Sequence, residues 1–324
     1  MFREAYRSVW RVRAPNVGLR GLSLLSAGLE HTKTRVDELA VRIRRSRSRR
    51  ELDAMYAAVA KTPPLRCNPQ AETAVHTVTS RHHLRMYLTA IKSLLRYHDD
   101  IAVVLHDDGS LDAADVALVM LHVPGVRLIP RNSADQDMSR ILARYPHCRR
   151  LRERVVNSLE LFDNMLLAPA TRVVNLNSDV LFLREPTAVL EWLAGGDPSI
   201  VGVYEAEPAG QAALLARRGS RFPAHVTTAL ACFYPGTCDL DLVEDVLAET
   251  TLDWFTAQNL YPLLYERQAQ HHTARFFDQD SYQASGVFTE GAIFRHYWTS
   301  TGKFTDVQER DSARVLDALT ARSA

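Results

Sequence analysis

The residues with the clearest chemical potential in this sequence are three polar positions between two apolar runs. Asn177-Ser178-Asp179 follows Val173-Val174 and precedes Val180-Leu181-Phe182. A carboxylate between strand-forming runs is costly unless it is paired or bound to a metal. In an extended chain, the i, i+2 spacing points Asn177 and Asp179 to the same side. Two oxygen donors at a strand end suit Mn²⁺ or Mg²⁺. The alternative is a turn in which both side chains bond to local backbone.

Strand-like and helical patterns alternate along the chain on either side of these residues. Leu84, Leu88, Ile91 and Leu95 recur at helical spacing between two strand-like runs, and a helix is predicted from about Val155 to Leu167. The strand-like apolar runs cover residues 74–79, 101–105, 126–129 and 172–176. This alternation predicts an α/β fold with a mostly parallel, Rossmann-like sheet and helices on both faces.

Polar residues come directly after several of the predicted strands. Ligands of parallel sheets gather beyond the carboxyl ends of the strands, so these residues are expected to line one crevice. They are Thr79-Ser80-Arg81, His106-Asp107-Asp108-Gly109-Ser110 and Asn177-Ser178-Asp179. For Asp107-Asp108-Gly109-Ser110 the alternative is a simple turn into the following helix, for which Asp112 and Asp115 form a start signal.

The N-terminal part differs from the rest in charge. Residues 1–50 hold 13 Lys and Arg against four Asp and Glu, a net +9, which leaves 26 against 34, a net −8, for the remainder. We interpret residues 1–73 as a basic helical extension and 74–324 as the α/β domain. The arginine run 42–50 is interpreted as a solvated helix face or a flexible segment; the alternative is a docking surface for anionic lipid headgroups or a partner protein.

Overall composition excludes several classes of protein. The 324 residues are 46% hydrophobic and 24% charged, which rules out a disordered or low-complexity chain. The net charge of +1 predicts no nucleic-acid partner. The four cysteines show no metal-ligand spacing, and no run approaches the roughly 18 apolar residues of a membrane span. We therefore expect a cytoplasmic protein, at most peripheral to the membrane.

Three segments in order resemble a known family. Residues 173–182 are similar to the Asp-x-Asp segment of glycosyltransferases with the GT-A fold, with Asn-Ser-Asp as a variant. Phe277-Asp278-Gln279-Asp280 resembles the Asp-Gln-Asp box of the group that contains glycogenin and the lipopolysaccharide galactosyltransferases. His296-Tyr297 followed by Gly302-Lys303 is similar to that group's C-terminal segment. The resemblance covers residues 74 to 307 and implies a nucleoside diphosphate sugar donor.

The resemblance also implies a role for each matching residue. Asp179, Asn177 and His296 would bind the divalent cation, and Lys303 would contact the donor phosphates. Asp278, Gln279 and Asp280 would face the transferred sugar and the acceptor. The remaining donor contacts would come from Thr79, Asp107, Asp108 and Ser178. Asn177 stands where the family has an aspartate, so the site carries one negative charge fewer.

Each of these residues also has a purely structural interpretation. His296 is suited to a core histidine bonded to backbone. Asp278 and Asp280 are suited to capping a helix that begins near Ser281. The basic cluster of Arg149, Arg150, Arg152 and Arg154 is interpreted as solvated, with contact of one arginine to the donor phosphates as the alternative.

The sequence therefore predicts a metal-dependent glycosyltransferase that moves a sugar, UDP-linked by preference, to the hydroxyl of an unidentified acceptor. One alternative is a non-catalytic binding or scaffold protein on a degenerate transferase fold, and Asn177 is the feature that favours it. Another is a nucleotidyltransferase. That class needs a glycine-rich loop after the first strand, and residues 79–83 contain no glycine.

Overall fold

A seven-stranded sheet organises the computed structural model, which describes residues 54–168, 170–197, 199–204, 226–235, 238–271, 273–284, 288–298 and 305–321. The strands of both sheets in the structure are β1 Thr73–Thr79, β2 Ala102–Asp107, β3 Arg127–Ile129, β4 Arg172–Leu176, β5 Val180–Phe182, β6 Ile200–Tyr204, β7 Val226–Phe233, β8 Ala274–Phe276, β9 Tyr282–Gln283 and β10 Phe294–His296. The large sheet has the order β3-β2-β1-β4-β7-β6-β8.

The described strands of this sheet all run in one direction except β7. β1 pairs in parallel with β2 and β4, β2 with β3, and β6 with β8. β7 is antiparallel to both β4 and β6. The predicted mostly parallel sheet is confirmed. We call the edge at which the parallel strands end the C-terminal edge; Val226, the first residue of β7, lies there too because β7 runs the opposite way.

Helices cover both faces of the sheet, as predicted. They are α1 Leu84–Leu95, α2 Ala113–His122, α3 Arg131–Ile141, α4 Pro146–Arg154, α5 Ser158–Leu166, α6 Thr187–Leu193, α7 Leu240–Ala248, α8 Thr256–Gln268 and α9 Thr305–Ala321. Successive strand residues point to opposite faces. Accordingly Val174 packs in the apolar cluster with α1 and α6, whereas Val173 packs in the cluster with α4, α5, α7 and α8.

Local sequence signals explain where two of these helices begin. Asp112 and Asp115 form a capping box at the start of α2, since each carboxylate accepts a backbone N–H from the other end of the box. α4 starts at Pro146, a residue suited to a first helical position because its missing N–H has no partner there. The predicted start of α2 is confirmed.

A second, three-stranded sheet joins the C-terminal segment to the turn after β4. β10 pairs antiparallel with β5, with His296 opposite Val180, and in parallel with β9, with Phe294 opposite Tyr282. Each of these strands is only two or three residues long. This sheet places residues far apart in sequence beside residues 177–179.

Residues 54–72 fall within the predicted extension of 1–73, and in the structure they contact the α/β fold. Val59 lies in the main apolar cluster. The backbone N–H groups of Leu65, Cys67 and Asn68 donate to the carbonyls of His122, Pro124 and Ile101 at 2.9–3.1 Å. The Lys92 ammonium, buried in α1, donates to the Pro63 carbonyl at 2.6 Å. The interpretation of residues 1–53 lies outside the described residues.

The described residues contain neither a membrane-spanning helix nor a disulfide. Within the described residues, no helix combines the length and apolarity needed to cross a bilayer. The four cysteines are free thiols: Cys67, Cys148 and Cys232 are buried and Cys238 is half-buried.

Candidate functional site

The turn between β4 and β5 consists of the three polar residues Asn177, Ser178 and Asp179. The Asn177 backbone N–H donates to the Ala229 carbonyl at 3.0 Å, which fixes the turn to β7. The Tyr297 N–H donates to the Asp179 carbonyl at 3.0 Å, which fixes it to the end of β10. The turn lies at the C-terminal edge and is held from both sides.

Asp179 and His296 meet at this turn. The Asp179 Oδ1 and His296 Nε2 atoms are 3.4 Å apart, and the two side chains are 18% and 10% exposed. The pairing of His296 with Val180 accounts for the approach, because Val180 is the neighbour of Asp179 in the chain. A carboxylate and an imidazole that share a mostly buried position are a common pair of ligands for Mn²⁺ or Zn²⁺.

Asn177 lies two positions before Asp179 in the same turn, and its side-chain amide carries a further candidate donor atom. Its Oδ1 is buried and accepts no hydrogen bond from any described residue. A buried amide oxygen without a partner costs free energy, and a cation would remove that cost. In the described part of the chain, no three His, Cys, Asp or Glu side chains cluster as metal ligands. The side-chain atoms of Asn177, Asp179 and His296 (O, O and N) are of the types that suit a divalent cation.

Ser178 and Thr79 contact each other directly. Their hydroxyl oxygens are 3.1 Å apart in the interior, so the turn after β4 is tied to the end of β1. The Thr79 carbonyl in turn accepts the Asp108 N–H at 3.1 Å, which joins the loop after β2 to the same edge. The structure therefore brings together the polar ends of three adjacent strands.

The Asp107 and Asp108 carboxylates hold their own loop. Asp107 Oδ1 accepts N–H bonds from Gly109, Ser110 and Leu111 at 2.8–3.2 Å. Asp108 Oδ1 accepts both the N–H and the hydroxyl of Ser110, at 3.0 and 2.6 Å. Gly109 has φ +100°, a conformation that favours glycine. The structure therefore has the turn that the sequence left open as the alternative.

The three residues of the predicted Asp-Gln-Asp box follow β8 at the C-terminal edge and are exposed. Asp278 Oδ2 accepts the Ser281 hydroxyl at 2.6 Å and its N–H at 3.1 Å, and these bonds lower the pKa of Asp278. Gln279 and Asp280 share this exposed turn. The helix expected near Ser281 is wrong: β9 starts at Tyr282 because the chain there pairs with β10. Lys303 lies outside the described residues.

Glu160 is a residue of this site that sequence reasoning missed. It lies in the first turn of α5, and its carboxyl is bonded to the side chain of Thr228 in β7. The pKa of Glu160 is raised to about 7: burial and the nearby charge of Asp179 raise it, and they outweigh the Thr228 hydrogen bond and His296, which lower it. An acidic residue in a first helical turn is ordinary, so no pattern in the sequence distinguishes Glu160 from a solvent-exposed glutamate.

A chain of buried amides positions Thr228. The Asn164 side-chain amide donates to Asn175 Oδ1, and the Asn175 amide donates to the Thr228 carbonyl. Both asparagines are fully buried. The Tyr261 hydroxyl of α8 donates to the Glu160 carbonyl at 3.2 Å. These contacts fix α5, β4, β7 and α8 around one point of the C-terminal edge.

The basic cluster on α4 divides into two kinds of residue. Arg152 is 5% exposed and forms two bonds, at 2.7 and 2.8 Å, with the buried Asp163 carboxylate, plus a third with Asp135. The prediction of a solvated side chain is wrong for Arg152, because Asp163 of α5 compensates its charge in the interior. Arg149, Arg150 and Arg154 are exposed, as predicted.

Several glycosyltransferases of known structure are similar to this chain in fold, at low sequence identity. No protein-family model matches the chain, and no curated protein is similar to it in sequence. Galactosyltransferase LgtC, solved with donor and acceptor sugar analogs, is 12% identical with a TM-score of 0.49 over 74% of this chain and 95% of its own. Mouse xyloside xylosyltransferase 1 is 11% identical with a TM-score of 0.45 over 73% of this chain and 99% of its own.

A third structure, the glycosyltransferase GlyE of Streptococcus pneumoniae, is 13% identical with a TM-score of 0.48, over 78% of this chain and 64% of its own. Because each of these TM-scores lies below 0.5, we take the function of this chain from its own residues. Those residues define an α/β protein in which the Asp179 carboxylate and the His296 imidazole approach each other at the C-terminal edge of the main sheet.

Proposed function

We propose that this protein is a glycosyltransferase that moves a sugar from a nucleoside diphosphate sugar to an acceptor hydroxyl with the help of a divalent cation. The observation that carries the proposal is the 3.4 Å approach of Asp179 Oδ1 to His296 Nε2 at the C-terminal edge. The same turn carries the buried Asn177 oxygen, which accepts no hydrogen bond from any described residue. Ligands of parallel sheets bind at this edge. The order of sequence segments that resemble the GT-A family adds the reaction class.

The chain's own residues would divide the work in this way. Asp179, His296 and Asn177 would hold the cation, which when bound supplies positive charge to the departing diphosphate. Ser178 and Thr79 keep the turn in place through their shared hydrogen bond. Asp107 and Asp108 shape the adjacent loop, against which the nucleoside would lie. Positioning and charge compensation would carry most of the rate.

The residues after β8 would serve the transferred sugar and the acceptor. The pKa of Asp278 is lowered by its bonds to Ser281, so this carboxylate is ionised at neutral pH and available as a hydrogen-bond acceptor. Gln279 and Asp280 are exposed on the same turn. We propose that this turn contacts sugar hydroxyls, and that Lys303, as in the resembling family, contacts the phosphates.

The test is nucleotide binding by calorimetry. UDP and GDP are titrated with and without Mn²⁺ into the wild type, Asp179→Ala and the matched control Asp137→Ala, which removes an exposed carboxylate of α3. We expect one nucleotide to bind only with Mn²⁺, to lose at least about tenfold in affinity in Asp179→Ala and to bind Asp137→Ala normally. Folded wild type that binds neither nucleotide would refute the proposal.

A further inference from the structure

A groove of about 690 Å³ lies between the end of α4 and the loop before α8. One wall consists of Arg150, Arg154, Val155 and Val156, and the other of residues 250–254, which include Trp254. We call it the Trp254 groove. None of these residues belongs to the proposed cation site or to the proposed donor contacts, so the groove is a separate feature of the surface.

The groove presents apolar side chains to water. Trp254 is 55% exposed and Val156 is 42% exposed. They are two of only four large apolar side chains that are exposed among the described residues; the others, Met120 and Leu121, lie on α2. An exposed tryptophan beside a second apolar residue in a concave surface is typical of a site that binds a ligand.

The charge of the groove is positive. Arg150 and Arg154 are exposed, and within the described residues neither forms a salt bridge. Asp253 is the acidic residue in the lining. Its Oδ1 already accepts the Phe255 N–H at 3.0 Å and the Thr256 hydroxyl at 2.9 Å, bonds that hold the start of α8. The two guanidinium groups therefore remain available to an anionic group, which arginine binds through paired N–H donors.

Both walls continue into elements that hold the candidate site. Val155-Val156 lead directly into α5, whose first turn contains Glu160. Trp254 leads into α8, where Gln258 Nε2 donates to the carbonyl of Val226, the first residue of β7, at 3.3 Å. The Tyr261 hydroxyl of α8 then donates to the Glu160 carbonyl. The groove is thus continuous along the chain with the starts of α5 and α8, and α8 contacts the C-terminal edge at Val226.

We propose that the Trp254 groove binds the acceptor of the transfer reaction, and that this acceptor is a saccharide whose pyranose ring carries a carboxylate or a phosphate. The C–H face of a pyranose is apolar and slightly positive, which suits the electron-rich face of the Trp254 indole. Arg150 and Arg154 then bind the anionic substituent. The inference rests on the proposed function, since it assigns the second substrate of that same reaction.

The experiment measures probe binding and nucleotide binding separately. Methyl glucuronide, glucose 6-phosphate and neutral methyl glucoside are titrated by NMR into the wild type, Trp254→Ala and the double variant Arg150→Gln/Arg154→Gln. Leu121→Ala and Arg149→Gln are the matched controls, because both change exposed side chains away from the groove. The glucuronide and the phosphate distinguish the two sources of negative charge. UDP binding with Mn²⁺ is measured for every protein.

We expect Trp254→Ala to bind the anionic probes about tenfold more weakly than the wild type does. We expect the double arginine variant to prefer the anionic probes over neutral methyl glucoside less strongly than the wild type does. Both variants should bind UDP as the wild type does. The inference is overturned if wild type binds no probe, if methyl glucoside binds equally well, or if Trp254→Ala binds the probes normally. It is also overturned if the wild type sediments as a dimer that Trp254→Ala dissociates. A wild type that binds the probes but does not bind UDP would instead count against the proposed function.

Discussion

At the scale of single residues, Asn177 is the position that distinguishes this site. Asp179 and His296 would supply a cation with one negative charge between them, and the amide of Asn177 adds an oxygen without charge. Affinity of oxygen-rich cation sites increases with the number of charged ligands. The site is therefore expected to bind Mn²⁺ weakly until the diphosphate of the donor adds its own oxygens.

Asn177→Asp should strengthen Mn²⁺ binding in the absence of nucleotide by roughly tenfold, because a carboxylate replaces a neutral amide in the donor set. Direct titration of Mn²⁺, followed by electron paramagnetic resonance, measures this change. Asn132→Asp is the control, since it adds the same charge at an exposed position of α3. Equal Mn²⁺ affinity of wild type and Asn177→Asp would show that residue 177 does not contact the cation.

The hydrogen-bond partners of single side chains could not be predicted from the sequence. Asp107 and Asp179 look alike in sequence, since each follows an apolar run. One carboxylate oxygen of Asp107 accepts hydrogen bonds from three backbone N–H groups, whereas the carboxylate of Asp179 lies close to the His296 imidazole. Hydrogen-bond partners at this level depend on loop conformation, which composition and spacing do not define. Glu160 was missed for the related reason that its environment comes from β7, a strand far along the chain.

At the scale of elements, four strands of the main sheet were predictable because each coincides with an apolar run, whereas β6, β7 and β8 were not predicted. β1, β2, β3 and β4 lie where the runs placed them. In the small sheet, the apolar run Val180-Leu181-Phe182 indicated β5, whereas β9 and β10 were not predictable, since they are two and three residues long and carry no periodicity. Yet β10 does the most for the site: His296 lies beside Asp179, while the neighbouring Arg295 pairs with Asp311 of α9. Strand alternation sends these adjacent residues in different directions.

The contact between α4 and α5 contains a buried ion pair. Arg152 and Asp163 form a buried bidentate pair, so removing one partner leaves an uncompensated charge in the interior. Arg152→Ala should lower the free energy of unfolding by about 3 to 5 kcal/mol. Arg149→Ala, which breaks an exposed pair with Glu153 on the same helix, should change it by less than about 1 kcal/mol.

Urea unfolding followed by circular dichroism measures both values. The two arginines are three positions apart on α4 and differ chiefly in burial, so the comparison separates the ion pair from helix propensity. A similar free energy of unfolding for Arg152→Ala and Arg149→Ala would mean that the Arg152–Asp163 pair contributes nothing net to stability.

At the scale of the whole molecule, the centre of the sheet contains a polar pair. His76 in β1 and His106 in β2 are fully buried, and His76 Nδ1 lies 2.9 Å from His106 Nε2. Burial lowers the pKa of His76 well below its usual value and lowers that of His106 to about 3; the charge of Arg127 acts in the same direction on both. Both imidazoles are therefore neutral in the folded protein at any moderate pH.

This pair predicts how the stability of the whole fold depends on pH. Unfolded histidine has a pKa of about 6.5, so below that pH the unfolded chain binds protons that the folded chain does not. The free energy of unfolding therefore falls with decreasing pH, and two such groups contribute a loss of about 2 kcal/mol between pH 6 and pH 5. Above pH 7 the pair has no effect, because it is neutral in both states.

His76→Gln should remove about half of this dependence, since one buried imidazole no longer titrates in the unfolded chain. The measurement is the free energy of unfolding in urea at pH 6 and at pH 5, taken for wild type, His76→Gln and the exposed control His82→Gln. The variant is compared by its change between the two pH values, so a uniform loss of stability from repacking cancels. If His76→Gln keeps the full wild-type pH dependence, the acid sensitivity of this fold originates outside the centre of the sheet.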